Sequence, residues 1–230
     1  MTRIAIIAAM PTELKPLIRG WQPERRNGVH LWRSRTNENE WIAACAGAGV
    51  DAATRAFAET EKSGPIDEVI STGWAGALRE EFLPGLAYDV STVIDARTGE
   101  RFVAACPPSD CSLVTSSRVA GAGEKKRLAS TYEAALVDME AAGVARLAKM
   151  RGIPFYCVKG ISDGLSDQLP DFNNFISRDG QFMLARFILF AVLRPSCWPA
   201  LIRMGENSKK AARNIAQSLL NLLDERGSAS

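Results

Sequence analysis

The chain has 230 residues and a formal net charge of +2, with acidic and basic residues intermixed. This length fits one α/β domain with its own core, and the near-neutral charge gives no electrostatic reason to expect nucleic-acid binding. The single histidine, His30, and the absence of a CxxC motif argue against a zinc site or a histidine-based triad. The five cysteines are odd in number and lie mostly in apolar runs, which indicates buried thiols in a reducing compartment.

The N-terminal residues 4–10 form an apolar run that Pro11 and Glu13 end. This run predicts a buried first strand rather than a signal peptide, because no small-residue cleavage pattern follows a longer apolar region. No stretch reaches the roughly 18 apolar residues of a membrane span, so we expect a soluble, cytoplasmic protein. Pro11 and Thr12 then mark the start of a short helix, which would place Glu13 at the end of the sheet.

Two segments with strand patterns, residues 28–35 and 40–46, come next, and the polar connection TNENE between them predicts a hairpin. Gly47, Gly49 and Ala52 then satisfy a G-x-G-x-x-A pattern between a strand and a helix, which invites a dinucleotide-binding interpretation. The pattern fails two tests of context. It is not in the first strand–helix unit, and the next strand ends without an acidic residue for the ribose hydroxyls.

Two glycines, Gly73 and Gly76, follow the next predicted strand, residues 68–72, and Trp74 lies between them. Glycine lets the backbone approach a ligand closely and offers amides that can bind it. The chain beyond Leu86 is typical of three short strands, at residues 87–95, 100–106 and 111–116.

Residues 134–163 predict a strand, a helix and a second strand. The first strand would cover residues 134–137. Asp138 can cap the helix, Glu140 lies in its electropositive first turn, and Gly152 ends it. The second strand, residues 153–161, is mostly apolar on both faces, which is typical of a sheet covered by helices above and below.

The two strands place Glu140, Ser162 and Asp163 at the carboxyl edge of the sheet, where ligands bind in open α/β folds. An aspartate just after a strand is also a common turn former. A glutamate in the first turn of a helix also commonly compensates the helix dipole. On the residues alone, the functional and the structural interpretations both stay open.

The C-terminal region predicts a helix that is apolar nearly all round, residues 182–193, then a break at Pro195 and Pro199, and then a terminal helix. One interpretation is a buried helix or a subunit interface. The other is an exposed apolar patch suited to a lipid surface or an apolar substrate. The basic residues that flank this region are Arg186, Arg194, Arg203, Lys209 and Lys210.

Three motifs, in this order, resemble the signature of the purine nucleoside phosphorylase and nucleosidase superfamily, particularly the methylthioadenosine/S-adenosylhomocysteine nucleosidases. They are IAIIAAMPTE, ISTGWAGAL, and VDMEAAGVA followed by VKGISD. The resemblance implies an α/β fold: a single-domain three-layer α/β/α sandwich with a mixed central sheet. We expect this nucleoside phosphorylase-like domain in residues 1–194 and a C-terminal helical extension, residues 195–230, packed on it.

The resemblance also implies an enzyme that cleaves the N-glycosidic bond of a purine nucleoside. Asp163, kept protonated by burial, would donate to purine N7, and Glu13 would deprotonate the attacking water. Glu140 would hold the ribose hydroxyls, with Met139 against the sugar face. The other substrate-binding positions are Ser162, Lys159, Trp74, Gly73 and Arg118.

Three of these positions depart from the nucleosidase pattern. Trp74 stands where a serine lies near the attacking water, and it would narrow the site or form an apolar wall. Lys159 stands where those enzymes carry an arginine, and it could orient Glu13 or bind an anion. Arg118 falls where an aromatic residue stacks on the purine, and its guanidinium could stack instead. Residues 164–176 resemble the mobile lid of the family.

The segments VTSSRVAGAGEKKRL and RPxxWPALIRMG resemble a hopanoid-associated subgroup, which removes adenine from adenosylhopane. We therefore expect a 5′-substituted adenosine as substrate, water as nucleophile and no cofactor. Phosphate as co-substrate is one alternative, and a member that binds a nucleoside or lipid without turnover is another. In the family a loop near residues 86–115 reaches a neighbouring subunit, which implies a homodimer or higher homo-oligomer. The C-terminal helices make peripheral membrane contact a further option.

Overall fold

The computed structural model describes residues 2–35, 39–106, 109–177 and 179–227. Within these ranges the strands are β1 Thr2–Ala8, β2 Gln22–Arg26, β3 Val29–Arg35, β4 Asn39–Cys45, β5 Glu68–Ala77, β6 Ala87–Asp89, β7 Thr92–Asp95, β8 Arg101–Val103, β9 Ser112–Thr115, β10 Leu136–Asp138 and β11 Phe155–Asp163. The helices are α1 Pro11–Leu14, α2 Val50–Glu61, α3 Ala122–Tyr132, α4 Ala141–Arg151, α5 Leu184–Val192 and α6 Trp198–Gly227. Short 3-10 turns lie at Phe172–Phe175 and Pro195–Cys197.

The strands of the described residues form one mixed sheet around the long strand β5. β5 pairs in parallel with β1 and β11 and antiparallel with β10. The order across the sheet is β2-β3-β4-β1-β5-β10-β9-β7-β8, and β11 pairs with β5 and β6. The predicted hairpin is confirmed as the antiparallel pair β3 and β4, although residues 36–38 of its connection lie outside the described ranges.

Helices cover both faces of the sheet. Successive side chains of a strand point to opposite faces, so neighbouring residues of β1 pack on different helices. Ile7 of β1 packs in one cluster with residues of α2 and α4. Ile6, its neighbour, packs in a second cluster with residues of α1 and α6. The expected three-layer α/β/α sandwich with a mixed central sheet is therefore confirmed.

The two strands nearest the candidate site end later than predicted. β10 covers Leu136–Asp138 instead of 134–137, and β11 covers Phe155–Asp163 instead of 153–161. An irregularity in register after Ile161 lets β11 continue, so that Asp163 pairs with Gly76 of β5. Asp163 is thus the last residue of a strand and not a loop residue.

The region that follows β5 has four strands where three were predicted. Its first predicted strand, residues 87–95, is divided between two neighbours: β6 pairs with β11, and β7 pairs with β8 and β9. Val90 donates its N–H to the carbonyl of Cys157, whereas Ser91 donates to the carbonyl of Cys111. The chain therefore changes partners between these two residues.

The C-terminal helices differ in how they pack. α5 contains no buried residue, so the buried-helix interpretation of residues 182–193 is wrong for the single chain. The break falls at Pro195 as predicted, but Pro199 lies in the first turn of α6, where its missing N–H costs no helical bond.

The second half of α6 is buried against the sheet through Ala211, Ile215 and Leu219. The division of the chain at residue 194 stays a prediction. No single helix of the described ranges is long and apolar enough to cross a membrane, and the α5–α6 pair reaches that length and composition only across a 104° bend.

Candidate active site

Glu13 lies at the start of α1, and its buried carboxylate is held by three backbone amides. Oε2 accepts the N–H groups of Ala9 and Met10 at 2.9 and 2.8 Å, and Oε1 accepts the N–H of Trp74 at 2.9 Å. Burial raises the pKa of Glu13, although the three amides and the charge of Lys159 act in the opposite direction. The result is a fixed carboxylate with increased affinity for a proton, as a general base requires.

Gly73 makes room for this carboxylate. Its φ is +117°, and a Cβ at this position would lie 2.8 Å from Oε1 of Glu13. Only a residue without a side chain fits this position. The sequence predicted that the backbone at Gly73 closely approaches a ligand; the group that it approaches in the structure is the Glu13 side chain.

Trp74 joins the Glu13 loop to the C-terminal helix. Its backbone N–H binds Glu13, while its indole Nε1 donates to the carbonyl of Ser208 on α6 at 3.1 Å. The indole is half-buried, which places an apolar wall between the strand end and α6.

Glu140 is the N-cap residue of α4 and its side chain is buried. Oε1 accepts the N–H of Gly49 at 2.7 Å, and Oε2 accepts the N–H of half-buried Met139 at 3.3 Å. Burial, and then the nearby Asp138 carboxylate, raise the pKa of Glu140 to about 8. Glu140 therefore retains a proton near neutral pH and can either donate or accept a hydrogen bond.

Gly49 was not predicted as a site residue. It precedes α2 with φ +96°, and it gives its amide to Glu140. A dinucleotide phosphate would need the amides at this helix N-terminus, so the dinucleotide interpretation of Gly47, Gly49 and Ala52 is not supported. The signal in the sequence was a glycine directly before a helix.

Lys159 does not bind Glu13 directly. Its Nζ lies 2.9 Å from Oδ2 of Asp138, both side chains are fully buried, and it also donates to the carbonyl of Thr72 at 3.0 Å. Burial disfavours the ammonium, but the Asp138 carboxylate more than offsets this, and the pKa of Lys159 is raised. The expectation that Lys159 orients Glu13 or binds an anion is therefore corrected: the ammonium is committed to Asp138.

The Asp138 carboxylate binds two further groups in the described part of the chain. Besides Lys159, its carboxylate accepts the hydroxyl of Thr115 at 2.7 Å and the N–H of Ala141 at 2.9 Å. The bond to Ala141 gives Asp138 the helix-capping contact that the sequence predicted, although the N-cap position itself is Glu140.

Asp163 lies at the end of β11 between a serine and a buried lysine. The hydroxyl of Ser162 donates to Oδ1 of Asp163 at 2.5 Å. The ammonium of Lys125 on α3 forms an ion pair with Oδ2 and donates to the carbonyl of Gly164 at 2.6 Å. The structure therefore places a cation against the carboxyl group that was predicted to act as the acid. That burial keeps Asp163 protonated stays a prediction.

Lys125 was also missed from the sequence. It is 2% exposed, whereas Lys126 and Arg127 beside it are exposed. Lys125 lies three residues before Leu128, which is buried, so both side chains are on the inner face of α3. This spacing was the available signal, but the run of basic residues concealed it.

Arg118 lies with Asp163 at a cavity of about 270 Å³. The lid segment, residues 164–176, provides much of the cavity wall, including Asp167 and Phe172. Asn173 fixes the lid by exchanging two hydrogen bonds with the backbone of Val119, at 2.8 and 3.0 Å. Arg118 is exposed at this cavity, and its stacking on a purine stays a prediction.

The predicted residues thus fall into two groups along β5 and β11. Glu13, Gly73, Trp74, Glu140 and Lys159 form one group, which we call the carboxylate group, and Met139 adjoins it. Ser162, Asp163 and Arg118 form the other, which we call the cavity group. Lys159 and Asp163 are four residues apart on β11, roughly 13 Å by strand geometry. In the described residues, no group of three His, Cys, Asp or Glu side chains is arranged to hold a metal ion.

Solved structures with this fold include several nucleosidases. A 5′-methylthioadenosine/S-adenosylhomocysteine nucleosidase from Helicobacter pylori matches with a TM-score of 0.73 and 17% identity, over 98% of this chain and 99% of that one. Futalosine hydrolase from the same organism matches with a TM-score of 0.73 and 16% identity, over 97% of this chain and 98% of that one. A 5′-methylthioadenosine nucleosidase from Arabidopsis thaliana matches with a TM-score of 0.75 and 15% identity, over 97% of this chain and 95% of that one. At these identities, the matches establish a shared fold.

No curated protein sequence matches the chain significantly. A family model described as the phosphorylase superfamily matches residues 3–113 and 111–187, which is most of the chain. The expectation of an enzyme is confirmed at the level of this superfamily. The chain belongs to the phosphorylase superfamily.

Proposed function

We propose that this enzyme hydrolyses the N-glycosidic bond of a 5′-substituted adenosine and releases adenine. Breaking this bond creates positive charge on the ribosyl ring and negative charge on the leaving base. The site must therefore supply an acid at the base, groups that hold the sugar, and a nucleophile on the opposite face. The carboxylate group and the cavity group offer these functions separately.

The observation that carries the proposal is the fixation of Glu13 by three backbone amides. A carboxylate held in one orientation can take a proton from water as the water attacks the sugar. Glu140, buried nearby, holds a proton near neutral pH and would exchange hydrogen bonds with the ribose hydroxyls. Met139, next in the chain, would then lie against the sugar face.

Water is favoured over phosphate because of the charges around Glu13. An ionised Glu13 would repel an anionic nucleophile, and Lys159 is already paired with Asp138. The names of two fold neighbours, a nucleosidase and a hydrolase, agree with hydrolysis. Phosphorolysis remains the second candidate, and it would depend on Arg118, which is exposed at the cavity.

Asp163 would act on the purine together with Lys125. Lys125 forms an ion pair with the Asp163 carboxyl group and would hold this group in position for the acid step. In this scheme Asp163 donates its proton to N7 as the bond from N9 to the sugar breaks. Adenine then leaves as a neutral base, Asp163 remains as the carboxylate, and the water adds to the sugar after losing its proton to Glu13.

The half-buried indole of Trp74 supports a large apolar group at the 5′ position. It faces the region between β5 and α6, where its Nε1 is bonded to Ser208. Apolar surface on the substrate would gain from contact with this wall. Adenosylhopane, suggested by the resemblance to the hopanoid-associated subgroup, is the specific substrate that we propose to test.

The test is adenine release from adenosine, methylthioadenosine, S-adenosylhomocysteine and an adenosine with a long apolar 5′ group, each with and without phosphate. We expect release from the apolar substrate without phosphate. Glu13→Gln should lower kcat about 10²- to 10⁴-fold, whereas Glu81→Gln at an exposed position should not. Strict dependence on phosphate would establish phosphorolysis, and binding without any adenine release would indicate a non-catalytic member.

A further inference from the structure

α5 presents an apolar stripe to solvent. Its exposed residues recur at the spacing of one helix face. They continue around the bend into the first turns of α6. We call this set the corner surface; its members, between 49% and 72% exposed, are Leu184, Ile188, Leu189, Val192, Leu193, Trp198 and Ile202.

The opposite side of α5 is anchored through aromatic rings. Phe187 lies 5.6 Å from Phe172 and 5.5 Å from Phe175, between ring centroids. Phe190 lies 5.1 Å from Phe175. The helix therefore packs on the 3-10 turn of the lid with one apolar face. Its second apolar face, which belongs to the corner surface, is exposed to solvent.

The corner is held in shape by local contacts. The indole Nε1 of Trp198 donates to the carbonyl of Ala191 at 2.8 Å, which joins the start of α6 to the end of α5. The guanidinium of Arg194 lies 4.6 Å from the ring centroid of Phe190. An exposed apolar surface of this extent on fixed elements marks a site of interaction.

The charges around the corner surface select its partner. Along the chain between Leu184 and Lys210 there are five basic residues and one acidic residue, Glu206; of the five, Arg203 is paired with Asp167. A second copy of the chain docked by a two-fold axis would bring these basic residues close to their own copies, and like charges repel. A bilayer with anionic headgroups, in contrast, lets the corner surface insert among acyl chains while the basic residues contact negative charge.

We propose that the corner surface docks this enzyme on anionic lipid bilayers, with α5 and the start of α6 lying in the plane of the interface. The contact is peripheral, because the 104° bend separates the two helices and the second half of α6 is buried against the sheet.

The docking surface adjoins the candidate site. Phe172 lines the cavity that contains Asp163 and also packs on Phe187 of α5. Arg203 of α6 pairs with Asp167, which also lines the cavity, at 3.3 Å. If the proposed function holds, docking would bring the cavity near the headgroups, where a nucleoside anchored in the bilayer by its 5′ group would present its base.

The test is co-sedimentation of the full chain with phosphatidylcholine vesicles, with and without phosphatidylglycerol. We expect binding that requires the anionic lipid and weakens at high salt. The double substitution Ile188→Glu/Leu189→Glu should lower binding about tenfold or more. The control, Met150→Glu, changes a still more exposed apolar residue on α4 and should bind like the wild type.

Two outcomes would overturn the docking inference. One is no binding to either vesicle. The other is a dimer in ultracentrifugation that the double variant converts to a monomer, which would make the corner surface a subunit interface. Turnover of a water-soluble nucleoside is measured in parallel and should be the same in the double variant. Vesicle binding without turnover of any nucleoside would leave the docking inference standing and reject the proposed function.

Discussion

Lys159 and Asp138 form an ion pair in which neither side chain has any exposure, with Nζ of Lys159 2.9 Å from Oδ2 of Asp138. The pair joins β11 to the start of α4, directly beside Glu140. Because Lys159 is also bonded to the carbonyl of Thr72, it connects β11 to β5 as well. The ion pair thus stabilises the position of the carboxylate group.

Lys159→Met should destabilise the fold by about 3–5 kcal/mol, because it leaves Asp138 buried without its cation. The double variant with Asp138→Asn should recover part of this loss, since the neutral amide carries no unpaired charge. Urea denaturation of the two variants and the wild type measures the difference. Equal stability of the single and double variants would contradict the role of the pair.

Glu140 should make stability fall with rising pH. Its pKa is raised from 4.5 to about 8 in the folded chain, so the folded state keeps a proton that the unfolded state releases. The stabilising effect is complete below about pH 4.5 and is lost as pH approaches 8. Over this window the contribution to the free energy of unfolding should fall by about 1 kcal/mol per pH unit.

Glu140→Gln removes this titration, so its stability should depend less on pH and exceed that of the wild type at the alkaline end. Denaturation curves at several pH values test this. Parallel curves for the two proteins would show that Glu140 ionises normally in the fold.

Gly73→Ala should reduce turnover about 10²-fold by displacing the Glu13 carboxylate. The new Cβ would lie 2.8 Å from Oε1, at a φ of +117° that side chains disfavour. Gly205→Ala in α6 is the matched control, since nothing lies within 4 Å of its Cβ position. It should keep full activity and gain up to about 1 kcal/mol of stability. Full activity of Gly73→Ala would contradict a role of Glu13 in the reaction.

Lys125→Met should lower kcat about 10²-fold or more with little change in KM. The loss follows because the ion pair that holds Asp163 at the end of β11 would be missing. Lys126→Met, one residue away on the exposed side of α3, is the control and should match the wild type. Steady-state kinetics separate the two parameters: an increase in KM with unchanged kcat would contradict a role of Lys125 in the acid step.

The sequence predicted the site best where residues lie next to strand ends. Glu13 follows β1 and Asp163 ends β11, both strands run parallel to β5, and the carboxyl ends of parallel strands meet at one edge. Glu140 follows β10, which runs antiparallel to β5, so its place beside Glu13 does not follow from that rule. Gly152 ends α4 as predicted, with a φ of +66°. These features depend on local pattern, which a single sequence contains.

Other features depend on tertiary contacts that local pattern does not encode. In the sequence Lys125 is one of three consecutive basic residues. Only the packing of α3 against the end of β11 shows that it is the buried one. α5 reads as a buried helix because both its faces are apolar, yet only the phenylalanine face finds a partner in the described chain. The last residues of β11 extend further because β5 is long enough to pair with them.

Hydrogen bonds hold both the lid and the residues that follow it. Asn173 is bonded to Val119, and beyond the lid the carbonyl of Gly180 accepts the N–H of Ala48 at 2.8 Å, in the loop that delivers Gly49 to Glu140. Opening on this side therefore has to break defined hydrogen bonds at one end or the other. If the proposed function holds, the exit rate of adenine would then be set by the lifetime of these bonds. Breaking the bond at Ala48 would also release the loop that holds Glu140 beside the sugar, so the sugar would become free to leave together with the base.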